Sequence, residues 1–199
     1  MNDRPNIESI VVQAERKVAY ESPDHQTPWG TRLDNSRNLR FNEKIMSLYA
    51  SQGRRTVKVL DMGCSGGGFV RSLLDDGCFA LGLEGSDYSF KHKRAEWRTI
   101  PEHLFTCDIT RDFNIQRTDA SAPCLVQFDV ITAWEVIEHV AEADLPALIN
   151  NVRKHLLPEG LWIMSVSSED DWVDGVNLHQ TVKPADWWIA FFRERGLHH

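Results

Sequence analysis

Three residues in the stretch "WEVIEHV" are of types that could do chemistry together: Glu135, Glu138 and His139. If a helix begins at about Trp134, they stand at i, i+3 and i+4, which sets two carboxylates and an imidazole on one face as potential metal ligands. A second stretch asks for different work. "VKVLDMGCSGGGFV", Val57 to Val70, ends an apolar run in an acid, Asp61, and then sets Gly63, Gly66, Gly67 and Gly68 close together. Glycines at such density let the main chain take positive φ and approach a ligand with no Cβ between. A plainer reading makes Asp61 a turn cap and Glu84, the next acid at a strand end, a solvated strand terminus.

The elements that must position these residues follow from hydrophobic periodicity. Ile7 to Tyr20 reads as a helix, and the loop after it, "ESPDHQTPWGTRLDN", is rich enough in Pro, Gly, Asp and Asn to serve as a lid. Trp29 in that loop would either close over a ligand or anchor the segment. "SRNLRFNEKIMSLYASQG" then gives a helix that stops at Gly53. From there strand-like runs ("TVKVLDM", "CFALGLEGS", "HLFTCDI", "QFDVITAW", "GLWIMSVSS") alternate with helical ones ("GGFVRSLLDDG", "YSFKHKRAEWRT", "EVIEHVAEADLPALINNVRKHLLPEG", "KPADWWIAFFRERG"). This alternation predicts an α/β fold with a mostly parallel sheet and helices on both faces. Residues 1–199 are expected to form one domain, with 1–52 supplying N-terminal helices and the lid loop and 53–199 the α/β core. Trp187, Trp188, Phe191 and Phe192 cover two adjacent turns of the last helix and read as sheet packing.

Composition narrows the function classes. At 42% hydrophobic, 199 residues can bury a sizeable core. Twenty-two Lys+Arg against 29 Asp+Glu give a net charge of -7, which opposes binding to a phosphate backbone unless the cations cluster. The one cluster, "KHKRAEWR" from Lys91 to Arg98, reads as a solvated helix face. Cys64, Cys78, Cys107 and Cys124 have neither paired nor metal-finger spacing, so free thiols in a reducing, cytoplasmic setting are expected. "MNDRPNIESIVVQAERK" reads as neither a signal peptide nor a membrane anchor.

In a sheet of this kind, ligands sit beyond the carboxyl ends of the strands, where the strand order reverses. A dinucleotide fingerprint does not fit the glycines: counting from Gly63 the second position is Ser65, and counting from Gly66 the third is Arg71. That disfavours an NAD-linked oxidoreductase. What does fit is an acid before the turn, Asp61, and another ending the second strand, Glu84.

"VLDMGCSGGG" resembles the first motif of class I S-adenosylmethionine-dependent methyltransferases, with Gly63 and Gly67 matching and Ser65 in place of the middle glycine. "LGLEGSD", "TCDI" and "FDVITAWEVIEHV" resemble the motifs at the next three strands, so the resemblance runs from Val57 to Gly196. It implies a Rossmann-like sheet, and S-adenosylmethionine held by Asp61, Gly63, Cys64, Ser65 and Gly67 at the turn. Glu84 and Gly85 would take the ribose diol, Asp108 and Ile109 the adenine, and Trp134 would complete the pocket. The family usually closes its sheet with an antiparallel hairpin; "RERGLHH" offers none, so a five-stranded sheet without that hairpin is expected. The E-x-x-E-H segment is similar to that of ubiquinone-biosynthesis O-methyltransferases and small-RNA 3′-terminal 2′-O-methyltransferases. The similarity implies a Mg²⁺ or Mn²⁺ site made by Glu135, Glu138, His139 and the later His179, or a Zn²⁺ site if tetrahedral. A metal-free alternative makes His139 or His179 a base or positioning group and lets Glu135 line the cofactor pocket. The expected reaction is methyl transfer to a hydroxyl oxygen of a small molecule or sugar-containing metabolite. Two alternatives stand beside it: RNA 2′-O-methylation, favoured if Lys91, Lys93 and Arg94 join Arg37 and Arg40 around the pocket, and a non-catalytic cofactor-binding partner subunit.

Overall fold

Residues 5–53, 56–119 and 121–197 are described by a computed structural model; residues 1–4, 54–55, 120 and 198–199 of the expected 1–199 unit lie outside that description. A 3-10 turn at Ile7–Ser9 leads into strand β1 (Ile10–Ala14). Two one-turn helices, α1 (Pro23–Gln26) and α2 (Trp29–Leu33), precede the longer α3 (Leu39–Ser51). The alternating part runs β2 (Lys58–Met62), α4 (Gly68–Asp75), β3 (Phe79–Glu84), α5 (Tyr88–Lys91) and β4 (Leu104–Thr106). It continues through β5 (Phe113–Arg117), β6 (Cys124–Leu125), β7 (Phe128–Trp134), α6 (Leu145–His155) and β8 (Leu156–Ser165). Strands β9 (Trp172–Val173) and β10 (Val176–Asn177) and helix α7 (Ala185–Glu194) follow.

The central sheet has the order β4-β3-β2-β7-β8, and every pairing in it is parallel. Its middle strands are continuous apolar runs because helices cover both faces. Leu60, Met62, Leu81, Leu83 and Ile131 pack with Leu148, Ile149 and Val152 of α6 and Trp188 and Phe191 of α7. Their neighbours Val59, Ala80 and Val130 face the other way, onto Ile45 and Tyr49 of α3 and Phe69, Val70 and Leu73 of α4. Burial of each large aliphatic side chain contributes about 1.5–3 kcal/mol. The order reverses between β2 and β7, which makes the carboxyl ends of these strands the place for a ligand.

Four expectations need correction. Ile7 to Tyr20 is not a helix: the β-branched triplet Ile10, Val11, Val12 pairs antiparallel with β5, from Ile10 opposite Arg117 to Ala14 opposite Phe113. With β6 this makes a second, three-stranded sheet. The basic stretch is one turn of α5 and a 3-10 turn at Ala95–Arg98, broken by positive φ at Lys93 and Ala95. No helix begins at Trp134, which ends β7; Glu135 has φ 51° and a 3-10 turn spans Ile137–His139. An antiparallel hairpin does exist, as the two-residue ladder of β9 and β10 before α7, but it stands apart from the central sheet.

His155 ties the second sheet to α6. Buried completely, it accepts the Ile115 amide at Nε2 (3.1 Å), donates from Nδ1 to the Asn151 carbonyl (2.8 Å) and stacks on Phe113. Burial drives its pKa down to about 4. The neutral ring is therefore part of the fold, and its contribution is lost as pH falls from about 6.5, the unfolded value, through 4. In urea titrations the stability advantage of wild type over His155→Gln should shrink by about 3 kcal/mol between neutral pH and pH 4; a pH-independent difference would refute the coupling.

Candidate functional site

A cavity of about 690 Å³ opens at the carboxyl ends of the central strands. Its floor includes Gly63 after β2, Glu84 at the end of β3, Asp108 after β4 and Trp134 at the end of β7. Its other wall comes from residues 16–36, which contribute Arg16, Ala19, Asp24, His25, Trp29 and Thr31. The loop expected to be a lid thus lies against the cavity, and Trp29, half exposed, is one of its lining residues.

The turn after β2 is built on backbone geometry. Gly63 (φ 78°) and Gly67 (φ 84°) take left-handed conformations, and the Gly63 and Cys64 amides both reach the Leu83 carbonyl. Ser65 also has positive φ, at 47°. Its amide donates to Glu84 Oε2 at 2.7 Å, while the Ser86 amide donates to Oε1 at 3.0 Å. Glu84 is therefore fixed at the cavity with one hydrogen bond to each oxygen and lone pairs to spare. Burial raises its pKa against the pull of these two amides. Asp108 accepts from the Thr110 amide (3.0 Å) and hydroxyl (2.6 Å) through Oδ1, and Oδ2 lies 3.8 Å from Arg16 Nη1.

His139 and His179 line the cavity, and their potential ligand atoms lie within 4.8 Å of one another and of one from Glu138, which does not line it. Glu138 is fully buried; Oε1 accepts the Ser167 amide at 2.8 Å, and Oε2 has no partner. His179 Nδ1 donates to the Glu169 carbonyl, which leaves Nε2 as an acceptor. The His139 and His179 rings meet edge to face at 4.5 Å. Asp24 Oδ2 sits 2.8 Å from His139 Nδ1, an ion-pair distance not aligned as a straight hydrogen bond. Burial alone would lower the His139 pKa, but Asp24, Glu138 and Asp171 outweigh it and the shift is upward.

Of the residues expected to contact a cofactor, Gly63, Ser65, Glu84, Gly85, Asp108, Ile109 and Trp134 line the cavity. Asp61, Cys64 and Gly67 do not. Asp61 lies beneath the turn, where its Oδ1 accepts the Thr132 hydroxyl at 2.7 Å and burial raises its pKa to about 7. The Cys64 side chain packs against Gly82 of β3, and Gly67 packs on Leu104. Of the four expected metal ligands, three come together; Glu135 lines the cavity outside that cluster, because its left-handed backbone interrupts the helical spacing. Sequence reasoning missed Asp24, His25 and Arg111. Ser22-Pro23-Asp24 carried a usable signal for the first two: Ser22 caps α1 by accepting the Asp24 amide, and Pro23 sits in the first turn.

The methyltransferase-domain family matches residues 32–199. This chain belongs to that family. Among relatives of this methyltransferase-domain chain, the ubiquinone biosynthesis O-methyltransferase of Cereibacter sphaeroides is 35% identical over 147 residues, covering 71% of this chain and 52% of the relative. That of Bartonella tribocorum is 28% identical over 127 residues, 64% of this chain and 47% of the relative. The chain spans about half the length of the curated relatives it matches. A solved S-adenosylmethionine-dependent methyltransferase from Clostridium acetobutylicum aligns with a TM-score of 0.49 at 16% identity, over 71% of this chain and 55% of that one.

The Asp61–Thr132 bond joins the two strands at the reversal point. Thr132→Val keeps the volume and removes the donor, so chemical denaturation at pH 8, where Asp61 is mostly ionised, should show a loss of about 1–3 kcal/mol. An unchanged midpoint would mean that the bond is dispensable.

Proposed function

We propose that this chain binds S-adenosylmethionine in the cavity and transfers its methyl group to a hydroxyl oxygen of a small molecule or sugar-containing metabolite. The observation that carries the reading is Glu84: a carboxylate at the second strand end, held by two amides, with one free acceptor direction per oxygen for a diol. On this reading Gly63, Ser65 and Gly85 pass close to the cofactor, Asp108 and Ile109 border the adenine, and Trp134 closes the floor. Asp61, Cys64 and Gly67 act from beneath, by shaping the turn. The orphan polar atoms Trp134 Nε1 and His25 Nδ1, both on cavity-lining residues, also fit a site built for a ligand.

Methyl transfer from a sulfonium is an in-line displacement, so the protein's task is to align the acceptor behind the methyl carbon and to exclude water. On this reading His139 or His179 would serve the acceptor hydroxyl as base or positioning group, and Glu135 lines the same cavity. The unpartnered Glu138 Oε2 and the free acceptor on His179 also suit a divalent cation such as Mg²⁺ or Mn²⁺, with His139 as a further ligand. Such an ion would supply a lower pKa for a bound hydroxyl. The names of the curated relatives support oxygen as the acceptor atom. RNA 2′-O-methylation is less well supported, since none of Arg37, Arg40, Lys91, Lys93 and Arg94 lines the cavity. A reducing, cytoplasmic setting belongs to the proposal because all four cysteines are free thiols. Among the described residues no helix is long and apolar enough to cross a membrane.

Isothermal titration of S-adenosylhomocysteine should show binding to wild type and at least about a hundredfold loss in Glu84→Ala; affinity within a few-fold of wild type would refute the diol assignment. Metal analysis after chelation and reloading with Mn²⁺ should find one ion in wild type and none in His179→Ala, with cofactor affinity retained. Equal metal content in the two proteins would end the metal reading and leave the histidines as metal-free groups.

A further inference from the structure

The glycine turn has a second face. Gly66 and Gly68, unlike Gly63 and Gly67, do not have positive φ, so conformational freedom does not explain them. Close approach does, and what approaches is the protein's own residues 31–35. A Cβ on Gly68 would stand 2.3 Å from the Asn35 carbonyl oxygen and 2.8 Å from its carbon. A Cβ on Gly66 would meet Asn35 Oδ1 at 2.6 Å and the Asp34 carbonyl oxygen at 2.8 Å. Both contacts are closer than real Cβ atoms come, and backbone cannot yield as a flexible side-chain end does.

Polar bonds hold the segment on this bare surface. Ser65 Oγ lies 3.1 Å from the Asp34 carbonyl and 3.3 Å from that of Thr31, and its one proton serves either. It accepts in turn from Arg94 Nη2 at 3.0 Å, and the same guanidinium nitrogen donates to the Asp34 carbonyl. Arg94 is itself aimed by a bond from Nε to Ser89 Oγ at 3.1 Å. The serine that departs from the family's middle glycine therefore has a specific partner, and it is the lid.

We infer that Ser65, Gly66, Gly68 and Arg94 form a seat for residues 31–35, and that Ser65 and Arg94 are positioning residues that hold the lid-borne wall of the cavity in place. That wall includes Asp24, His25, Trp29 and Thr31. A ligand in the cavity would then leave only when the seat releases. The effect on ligand release rests on the cofactor reading above; the seat itself does not.

The decisive variant is Gly68→Ala. As the first residue of α4, without positive φ, position 68 accepts alanine as a helix former, so the added methyl acts mainly as a wedge against Asn35. Hydrogen exchange on the cofactor-free protein reads the seat through the Arg32 and Asp34 amides, which bond to the Pro28 and Gly30 carbonyls. Their exchange should accelerate at least about tenfold in Gly68→Ala and Arg94→Gln while amides of β2 and β3 keep wild-type rates. S-adenosylhomocysteine should dissociate at least about tenfold faster from the same variants in stopped-flow. Should Gly68→Ala fail to fold, Ser65→Gly removes the hydroxymethyl group, and with it the bonds to residues 31–35, at a position whose positive φ glycine accepts, and decides by the same two readouts. Unchanged exchange at Arg32 and Asp34 overturns the seat. Faster exchange with an unchanged dissociation rate overturns the positioning role. If wild type binds no S-adenosylhomocysteine, the cofactor reading falls, and the exchange arm still decides the seat.

Discussion

The structure depends on one constraint: between Gly63 and Gly68 the main chain must turn while it borders the cavity and packs directly against another stretch of backbone. Gly63 and Ser65 line the cavity, and Gly66 and Gly68 meet residues 34–35. Such a turn needs Gly63 and Gly67 in left-handed conformations and bare Cα atoms at Gly66 and Gly68. It also needs a rigid base. The fully buried middle strands provide that base, because apolar contact on both faces fixes where β2 and β3 end. The placement of Glu84 follows, since the amides that hold it belong to the turn and to the residues just past β3.

The electrostatics of the cavity follow from the same burial. Asp61, Glu84 and Glu138 all have raised pKa values, each mainly through desolvation. Hydrogen bonds oppose the shift in every case, from Thr132, from the Ser65 and Ser86 amides and from the Ser167 amide. The cations that line this wall are already engaged: Arg16 with Glu21 and Asp108, and Arg111 with Asp144. Acids held in low dielectric favour a ligand that brings positive charge, and Arg94 near Glu84 and His139 near Glu138 offset only part of the burial. The sulfonium and ammonium of S-adenosylmethionine would do so at the turn, and a divalent cation would do so at Glu138.

Much of this was legible because the central strands obey a local rule. Runs such as "TVKVLD" and "FDVITAW" are rich in β-branched and apolar residues that face both ways, and a strand covered on both faces needs that. What failed were elements defined by distant partners. Ile10, Val11 and Val12 favour a strand intrinsically, but their ladder partners lie beyond residue 110, and β5 itself has only a weak alternating pattern. The "WEVIEHV" reading failed and succeeded at once. The assumed helix is absent, since β7 runs on to Trp134 and Glu135 turns left-handed, yet Glu138 and His139 still meet His179. That meeting is a tertiary effect: Glu138 holds the chain after β8 through the Ser167 amide, and its carbonyl accepts the Gln180 and Thr181 amides just past His179.

The N-terminal segment joins these two halves. Ala19 donates its amide to the Gly85 carbonyl beside Glu84, Asp24 meets His139 beside His179, and Asp34 is bound by Ser65 and Arg94 at the glycine turn. Three anchors at separate points around one cavity mean that the wall is correctly placed only when all are made. A segment anchored mainly by polar bonds is drawn from the low-stability end of a fold. The short helices α1 and α2 fit that description. Neither is long enough to be stable alone: α1 is capped by Ser22, and α2, which has no side-chain cap, is held at its end through the Thr31 and Asp34 carbonyls. Placement of this wall of the cavity thus rests on a few hydrogen bonds, which is why a single methyl at Gly68, far in sequence from Glu135, His139 and His179, is a sharp probe of it.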